Sequence, residues 1–297
     1  MLAAPFLVMA ALAQAQSGGL PGLLATDRAL GNVSARNGLA QAVADAAADD
    51  VVFLYAGAPV LSGKVLVETL LRAQRLLDSL SLHWAPMDGW LSHDERLGVT
   101  YGRVEVTNGR IETAGRATPP GPSRTGTYIA AWRQVGARWR LAALMLGGVV
   151  PPSRTLLPGG IGPVEHSALP AAGPARDLIQ ADLDFAALAG RATAPEAFRS
   201  YAAPDAIMLP GGGAEPRRGP DAIAQGIGAG PASDWVWFPV VGEIAASGDL
   251  GYTVGQAVIS PRDGGDRIYS KYLTVWRRTP DGRVRFLTDG GNPRPKP

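Results

Sequence analysis

The sequence predicts an α+β protein of two tandem cone-shaped domains, each a curved antiparallel sheet with helices over its concave face. One observation is an internal repeat, in which Leu97–Gly102 (Leu-Gly-Val-Thr-Tyr-Gly) recurs as Leu250–Gly255 (Leu-Gly-Tyr-Thr-Val-Gly). Further matched residues keep their order on both sides, at separations between 144 and 156. This period is too long for a solenoid and fits a whole domain. The matched pairs are Asp27 and Asp182, Asp50 and Asp205, Gly63 and Gly219, Trp84 and Trp237, Tyr128 and Tyr272, and Trp132 and Trp276.

Composition bounds the class of protein. The 297 residues are long enough for two domains that each bury a core, and 46% hydrophobic with 18% charged residues is ordinary for a globular protein. The net charge is +2 and the Arg residues are scattered, which argues against a basic face for nucleic acid. The chain has no Cys, so disulfides, a thiol nucleophile and cysteine metal sites are excluded.

The N-terminus resembles a secretory signal. An apolar run over residues 2–12 precedes Ala13-Gln14-Ala15, a small-x-small pattern that signal peptidase accepts. We therefore expect a signal peptide over residues 1–15, cleavage after Ala15, a periplasmic or secreted protein, and no stable membrane span after cleavage. No Lys or Arg precedes the run, so a buried N-terminal segment is the alternative.

Helices are expected early in each domain. Leu178, Ala181, Phe185 and Leu188 step by three and four residues, which is the spacing of an amphipathic helix. The predicted helices cover residues 20–48 (interrupted at Gly31 and near Gly38), 64–80, 174–188, 195–201 and 220–227.

The remainder of each domain is predicted as antiparallel sheet, because turn residues such as Pro280-Asp281-Gly282 separate its apolar runs. A Pro/Gly/Ala-rich linker over 149–173 divides a first domain (20–148) from a second (174–293). The predicted strands cover residues 51–55, 81–91, 97–107, 125–135, 138–146, 206–209, 234–246, 250–260, 267–278 and 283–289.

This order of elements resembles the nuclear-transport-factor-two-like fold, also called the SnoaL-like or cystatin-like cone. The second domain resembles, within that fold, the family known as domain of unknown function 4440. The first domain matches more loosely, since Leu144 stands where the second domain has Asp289. Helices across a curved sheet leave a conical cavity, which is a default ligand site. The segments that carry the resemblance are Ala181-Asp182, Tyr201–Ala206, Gly219–Ile223, Gly251–Gly255, Lys271–Arg278 and Asp289–Pro293.

Two carboxylates are the candidate catalytic residues. Asp182 lies at the margin of an apolar helix face, where it could act as a general acid or base with a raised pKa, or could bond a backbone amide or an Arg. Asp289 ends the last strand and is either a cavity carboxylate or the residue that organises the Gly290-Gly291 turn. The sequence leaves both alternatives open.

The aromatic residues of the second domain are the candidate ligand-binding residues. Several recur in the first domain or share a strand face, which fits either the core or a flat-sided pocket. Lys271 lies on the face opposite Tyr272 and is predicted to be solvated. The candidates are Trp235, Trp237, Tyr252, Tyr272 and Trp276.

No cofactor or metal is predicted, since the three His residues lack metal-ligand spacing and no nucleophile elbow or phosphate loop occurs. The leading hypothesis is a small-molecule ligand, apolar or aromatic, bound in the second domain. One alternative is an isomerase, dehydratase or cyclase-type enzyme that uses a pocket Asp as general base. The other is a non-catalytic scaffold, in which the domains form an internal pseudo-dimer or the chain forms a homodimer.

Overall fold

The computed structural model describes residues 18–74, 77, 80–108, 112–113, 116–117, 123–148 and 175–297. The expected signal peptide (1–15) and linker (149–173) lie outside these residues, so both stay predictions, as do the domain boundaries. Residues 18–148 are called the first half below, and residues 175–297 the second half.

The first half begins with helices and continues as a six-stranded sheet. Its helices are α1 (Gly19–Asn37), α2 (Leu39–Ala46) and α3 (Lys64–Ala73). The sheet order is β2-β1-β8-β7-β4-β3, in which β1 and β8 run parallel and the other neighbours antiparallel. The strands are β1 (Ala47–Leu54), β2 (Val60–Ser62), β3 (Leu80–Leu91), β4 (Leu97–Asn108), β5 (Glu112–Thr113), β6 (Arg116–Ala117), β7 (Arg124–Val135) and β8 (Arg138–Gly147).

The second half repeats this plan with a smaller main sheet. Its helices are α4 (Ala175–Arg191), α5 (Ala194–Tyr201) and α6 (Gly219–Gly228). The main sheet is antiparallel in the order β11-β12-β13-β14, and β9 pairs with β10 separately. The predicted α+β class with curved antiparallel sheets is thereby confirmed. The strands are β9 (Ile207–Met208), β10 (Arg217–Arg218), β11 (Ser233–Ile244), β12 (Leu250–Pro261), β13 (Ile268–Arg278) and β14 (Val284–Pro293).

The two sheets share the same irregularities. A register shift lies between Pro86 and Asp88 in β3, and another between Pro239 and Val241 in β11, 153 residues later. Such bulges bend a strand and increase its twist. The curvature of each sheet is thus set at an equivalent position.

Helix α1 differs from the prediction, because it runs through Gly31 and ends only before Gly38. A Cβ atom at Gly31 would lie 2.0 Å from the carbonyl oxygen of Trp84, so the glycine permits close packing of α1 on β3. It is a packing residue of a continuous helix. Gly38, with φ of 88°, is the residue that separates α1 from α2.

The two halves pack against each other through their sheets. At the turns the contacts are reciprocal: Asp94 accepts a hydrogen bond from the amide of Ser247 (3.0 Å), and Asp249 accepts one from the amide of His93 (3.1 Å). At the centre Gly290 of β14 faces Met145 of β8, whose Cε lies 2.3 Å from where a Cβ would stand. One apolar cluster therefore contains buried residues of both halves.

Polar side chains complete this contact. Arg133 of the first half binds both carboxylate oxygens of Glu243, at 2.6 and 2.9 Å. Asn292 donates from Nδ2 to the carbonyl oxygens of Leu54 (2.6 Å) and Leu146 (2.8 Å). Since each partner belongs to the opposite half, these bonds fix β11 and β14 against the first half.

Candidate functional site

Asp182 sits on α4 and is fully enclosed beneath the second sheet. It accepts three hydrogen bonds, from Trp237 Nε1 (3.0 Å), Thr253 Oγ1 (2.7 Å) and Tyr272 OH (3.0 Å). Burial raises its pKa to about 6, and the three hydrogen bonds act in the opposite direction. The carboxylate thus links α4 to β11, β12 and β13 by hydrogen bonds.

Asp27 forms the same network in the first half. It accepts hydrogen bonds from Trp84 Nε1 (2.8 Å) and Tyr128 OH (2.7 Å) and is likewise fully buried. Burial raises its pKa, while hydrogen bonds from Thr100, Tyr128 and Trp84 oppose the shift. The sequence repeat is therefore also a repeat of contacts.

A second layer supports each carboxylate. Trp276 donates from Nε1 to Thr253 Oγ1 (2.8 Å), and Trp132 donates in the same way to Thr100 (2.9 Å). Networks of this kind specify a unique core, because each buried polar group finds its partner. Their presence in both halves indicates a structural role for this part of the repeat.

The second half contains a cavity of about 270 Å³ between its helices and the concave face of its sheet. Most of its wall is apolar, and five of its residues are aromatic. Asp289 is the ionisable carboxyl in the wall. The lining residues are Phe185, Phe198, Met208, Leu209, Ile227, Trp235, Trp237, Ala257, Ile259, Ser270, Tyr272, Thr274, Asp289, Gly290 and Gly291.

Asp289 is held by its neighbour on the adjacent strand. Thr274 stands directly opposite in the β13–β14 register and donates to Asp289 Oδ2 at 2.5 Å. Burial raises the pKa of Asp289 to about 7, Thr274 lowers it, and the charge of Asp182 raises it further. Asp289 is half-buried and lines the cavity.

The first half carries larger apolar side chains at several of the corresponding positions. Where the second half has Ala257, Asp289 and Gly291, the equivalent positions carry larger apolar residues that are fully buried. The residue opposite Leu144 in the β7–β8 register is Ala130, which replaces Thr274. The equivalent residues are Val104, Leu144 and Leu146. Together these four differences make the equivalent positions of the first half bulkier and less polar.

The predicted site residues fall into two groups. Trp235, Trp237, Tyr272 and Asp289 line the cavity together. Asp182 lies behind this wall, where both of its oxygens are already bonded to side chains.

Tyr252 and Trp276 are outside the cavity. The Tyr252 hydroxyl donates to Glu243 (2.7 Å), the residue bound by Arg133, and so lies at the contact between the halves. Trp276 is fully buried with its ring 6.1 Å from that of Phe185 and belongs to the core. Alternation along a strand could not separate these residues from the lining ones.

The predicted solvation of Lys271 is wrong. Its side chain is fully buried, and Nζ donates to the carbonyl oxygens of Tyr55 (2.9 Å) and Pro293 (2.8 Å). Burial lowers its pKa to about 7, with a further contribution from Arg294. Lys271 does lie opposite Tyr272, but the first half covers that face.

Sequence reasoning missed Thr274, Ala257 and Gly291 as lining residues. The available signal was a comparison of the two copies position by position, in which these residues are smaller or more polar than their counterparts. Within the described residues, no cluster of three metal-binding side chains occurs. Nor does any described helix have the length and apolar character needed to cross a bilayer.

Three solved structures that resemble this chain each match less than half of it. A protein from Xanthomonas campestris, provisionally named a calcium/calmodulin-dependent protein kinase II association domain, is 18% identical with a TM-score of 0.39 and covers 46% of this chain and 99% of its own. A ketosteroid isomerase-like protein from Erwinia carotovora atroseptica is 13% identical with a TM-score of 0.35, over 40% of this chain and 95% of its own. A protein from Novosphingobium aromaticivorans, provisionally named an aromatic ring hydroxylase, is 16% identical with a TM-score of 0.34, over 40% and 88%.

These proteins are of the nuclear-transport-factor-two-like cone class that the sequence resembles, and the similarity concerns the fold alone. No family model matches the chain, and no curated protein was found to be similar. The narrower resemblance to domain of unknown function 4440 stays a prediction.

Proposed function

We propose that the second half binds a small molecule with an apolar, ring-bearing body inside its cavity. The observation that carries this proposal is the cavity of about 270 Å³, which is lined by aromatic side chains and by the carboxyl group of Asp289. Apolar pockets with a few placed polar groups are the usual form of small-molecule sites. The cost of keeping Asp289 away from bulk water also supports a role for it beyond folding.

The first half serves, in this proposal, as a built-in partner. Its Met145 and Ile129 press on the outer side of Gly290, which with Gly291 forms part of the cavity wall. Hydrogen bonds from Asn292 to Leu54 and Leu146 hold the same strand end. An internal pseudo-dimer of this kind gives the working half a rigid support.

Native mass spectrometry of the full chain purified gently from its own compartment tests the proposal first. A bound small molecule at one per chain is the expected result. In parallel, binding of naphthalene-based probes is followed by Trp fluorescence in Ala257→Leu, which fills the cavity, and in Ala246→Leu, which adds the same bulk at an exposed turn. Loss of probe binding in Ala257→Leu but not in Ala246→Leu supports binding in the cavity. Equal probe binding by the two variants contradicts it.

A second candidate is an acid–base enzyme of the isomerase, dehydratase or cyclase type. Asp289 favours it, because a cavity carboxyl with a pKa near neutrality can both take up and release a proton. On this hypothesis Asp289, which lines the cavity, is a better candidate base than Asp182. Turnover that survives Asp289→Asn unchanged would rule this candidate out.

We also propose a periplasmic or secreted location, which rests on the N-terminal sequence alone. Cell fractionation with N-terminal sequencing of the mature chain tests it. A chain that begins at Gln16 and is found outside the cytoplasm is expected, whereas an uncleaved chain in the cytoplasm contradicts the proposal.

A further inference from the structure

We infer that the ligand of the second-half cavity is a ring-bearing amine that binds in its protonated form, with the ammonium group at Asp289. The inference rests on the proposed binding function and adds the chemical class of the ligand. Three features of the wall support it: the state of its hydrogen-bonding groups, its aromatic rings and its charge.

The hydroxyl groups in the wall have already used their hydrogens inside the protein. Tyr272 donates to Asp182, Thr274 donates to Asp289, and Ser270 donates to the carbonyl oxygen of Asn292. The indole N–H of Trp237 is likewise bonded to Asp182. Of the other lining side chains that can form hydrogen bonds, Trp235 keeps an indole N–H without a partner among the described residues, and Asp289, once ionised, offers oxygen lone pairs to a ligand that donates hydrogen bonds.

Asp289 offers the acceptor. Its Oδ2 is held by Thr274, while no side chain or backbone group of the described residues is bonded to Oδ1. Because the carboxyl lines the cavity, a ligand there can approach the second oxygen. An ammonium group would form a charge-assisted hydrogen bond with it, which is stronger than a neutral one.

The aromatic rings also favour a cation. Trp235, Trp237 and Tyr272 line the same cavity as Asp289, with Phe185 and Phe198 beside them. The faces of such rings attract cations, and aromatic cages are a known means of binding ammonium groups. None of the described residues that line the cavity is a Lys, Arg or His, so this part of the wall supplies no competing cation.

The electrostatic surroundings of Asp289 also favour a cationic ligand. Burial and, to a smaller extent, the charge of Asp182 on α4 raise the pKa of Asp289, while Tyr272 on β13 donates to Asp182 and lines the same wall as Asp289. Without a ligand, Asp289 therefore holds its proton up to about pH 7. A bound ammonium group favours the ionised form, so binding of the amine releases a proton near neutrality.

A matched series of probes tests this inference with the full chain. The three probes are 1-naphthylmethylamine, 1-naphthylmethanol and 1-naphthoate, which share one ring system and differ in charge. Affinities are measured by Trp fluorescence and calorimetry at pH 6, 7 and 8. We expect the amine to bind at least about tenfold more tightly than the alcohol at pH 8, and the naphthoate most weakly.

The pH profile gives an independent readout. The affinity of the amine is expected to rise about tenfold between pH 6 and pH 8, as Asp289 ionises, with proton release detected by calorimetry in buffers of different ionisation enthalpy. An affinity for the alcohol that equals or exceeds that for the amine, or an amine affinity that falls as pH rises, overturns the inference and leaves the proposed binding function standing. Failure of all three probes, with no molecule seen in native mass spectrometry, overturns both.

Asp289→Asn provides the variant. It should abolish the preference for the amine while keeping affinity for the alcohol, and Asp234→Asn, an exposed carboxylate paired with Arg262, should change neither. Circular dichroism checks that Asp289→Asn folds. If Asp289→Asn does not fold, the pH profile and the proton release of the unmodified protein still show whether the amine binds at an ionised Asp289.

Discussion

Thr274 donates a hydrogen bond of 2.5 Å to Asp289 across β13 and β14, and the first half has Ala130 opposite Leu144 at the same two positions. One copy of the domain thus carries a polar pair at a cavity, and the other an apolar pair within a buried hydrophobic cluster. The two halves of one chain provide matched controls for each other.

Replacing the polar pair by the apolar one should stabilise the protein. The double variant Thr274→Ala with Asp289→Leu removes a desolvated carboxyl and fills part of the cavity, so we expect a gain of about 1–3 kcal/mol in the free energy of unfolding at pH 7.5. Urea denaturation followed by Trp fluorescence measures it. The reverse exchange, Ala130→Thr with Leu144→Asp, should destabilise by about 3 kcal/mol or more. A loss of stability in the first variant would contradict this account.

Asp289 should also give the protein a distinctive pH dependence. Its folded pKa of about 7 lies above the ordinary aspartate value of 3.8, so its stabilising contribution is complete below about pH 4 and is lost as pH rises through 7. The difference between the wild type and Asp289→Asn isolates this effect, which is at most about 4 kcal/mol across that window. Parallel stability curves for the two proteins from pH 4 to 7.5 would show that the pKa is not raised.

Asp27 and Asp182 should behave alike when changed to Asn. In each case the Asn amide N–H₂ replaces a carboxylate oxygen that accepted hydrogen bonds from Trp, Thr or Tyr, so donor faces donor. We therefore expect a loss of about 2–4 kcal/mol of folding free energy in either half. Thermal and urea unfolding of both variants tests this. If Asp182→Asn keeps full stability while Asp27→Asn loses it, Asp182 has a role other than folding.

The buried Lys271 should make the free energy of unfolding increase with pH above pH 7, which is opposite to the effect of Asp289. Because burial lowers its folded pKa from 10.5 to about 7, the folded protein releases this proton first and gains stability as pH rises above 7. The gain is at most about 5 kcal/mol by pH 10.5. Measured between pH 7 and 9.5, it should disappear in Lys271→Met and persist in the control Lys296→Met at the exposed tail. An unchanged slope in Lys271→Met would refute the assignment.

Much of the architecture was predictable from the sequence, because an internal repeat and turn residues can both be recognised from the order of residues alone. The strand predicted over 250–260 is observed as Leu250–Pro261, and the repeat of Asp27, Trp84 and Tyr128 in Asp182, Trp237 and Tyr272 is a repeat of one hydrogen-bonded network. The convergence of these three residues was not predictable. Residues far apart in the chain meet only through the packing of a helix on a sheet.

The placement of Lys271 and Tyr252 shows what tertiary structure alone decided. Alternation along β12 and β13 determines which side chains share a face of the sheet, since successive residues point to opposite sides. It carries no information about what covers that face. The first half covers one side of this sheet and the cavity lies on the other, so Lys271 is buried, Tyr252 joins the contact between halves, and Asp289 lines the cavity.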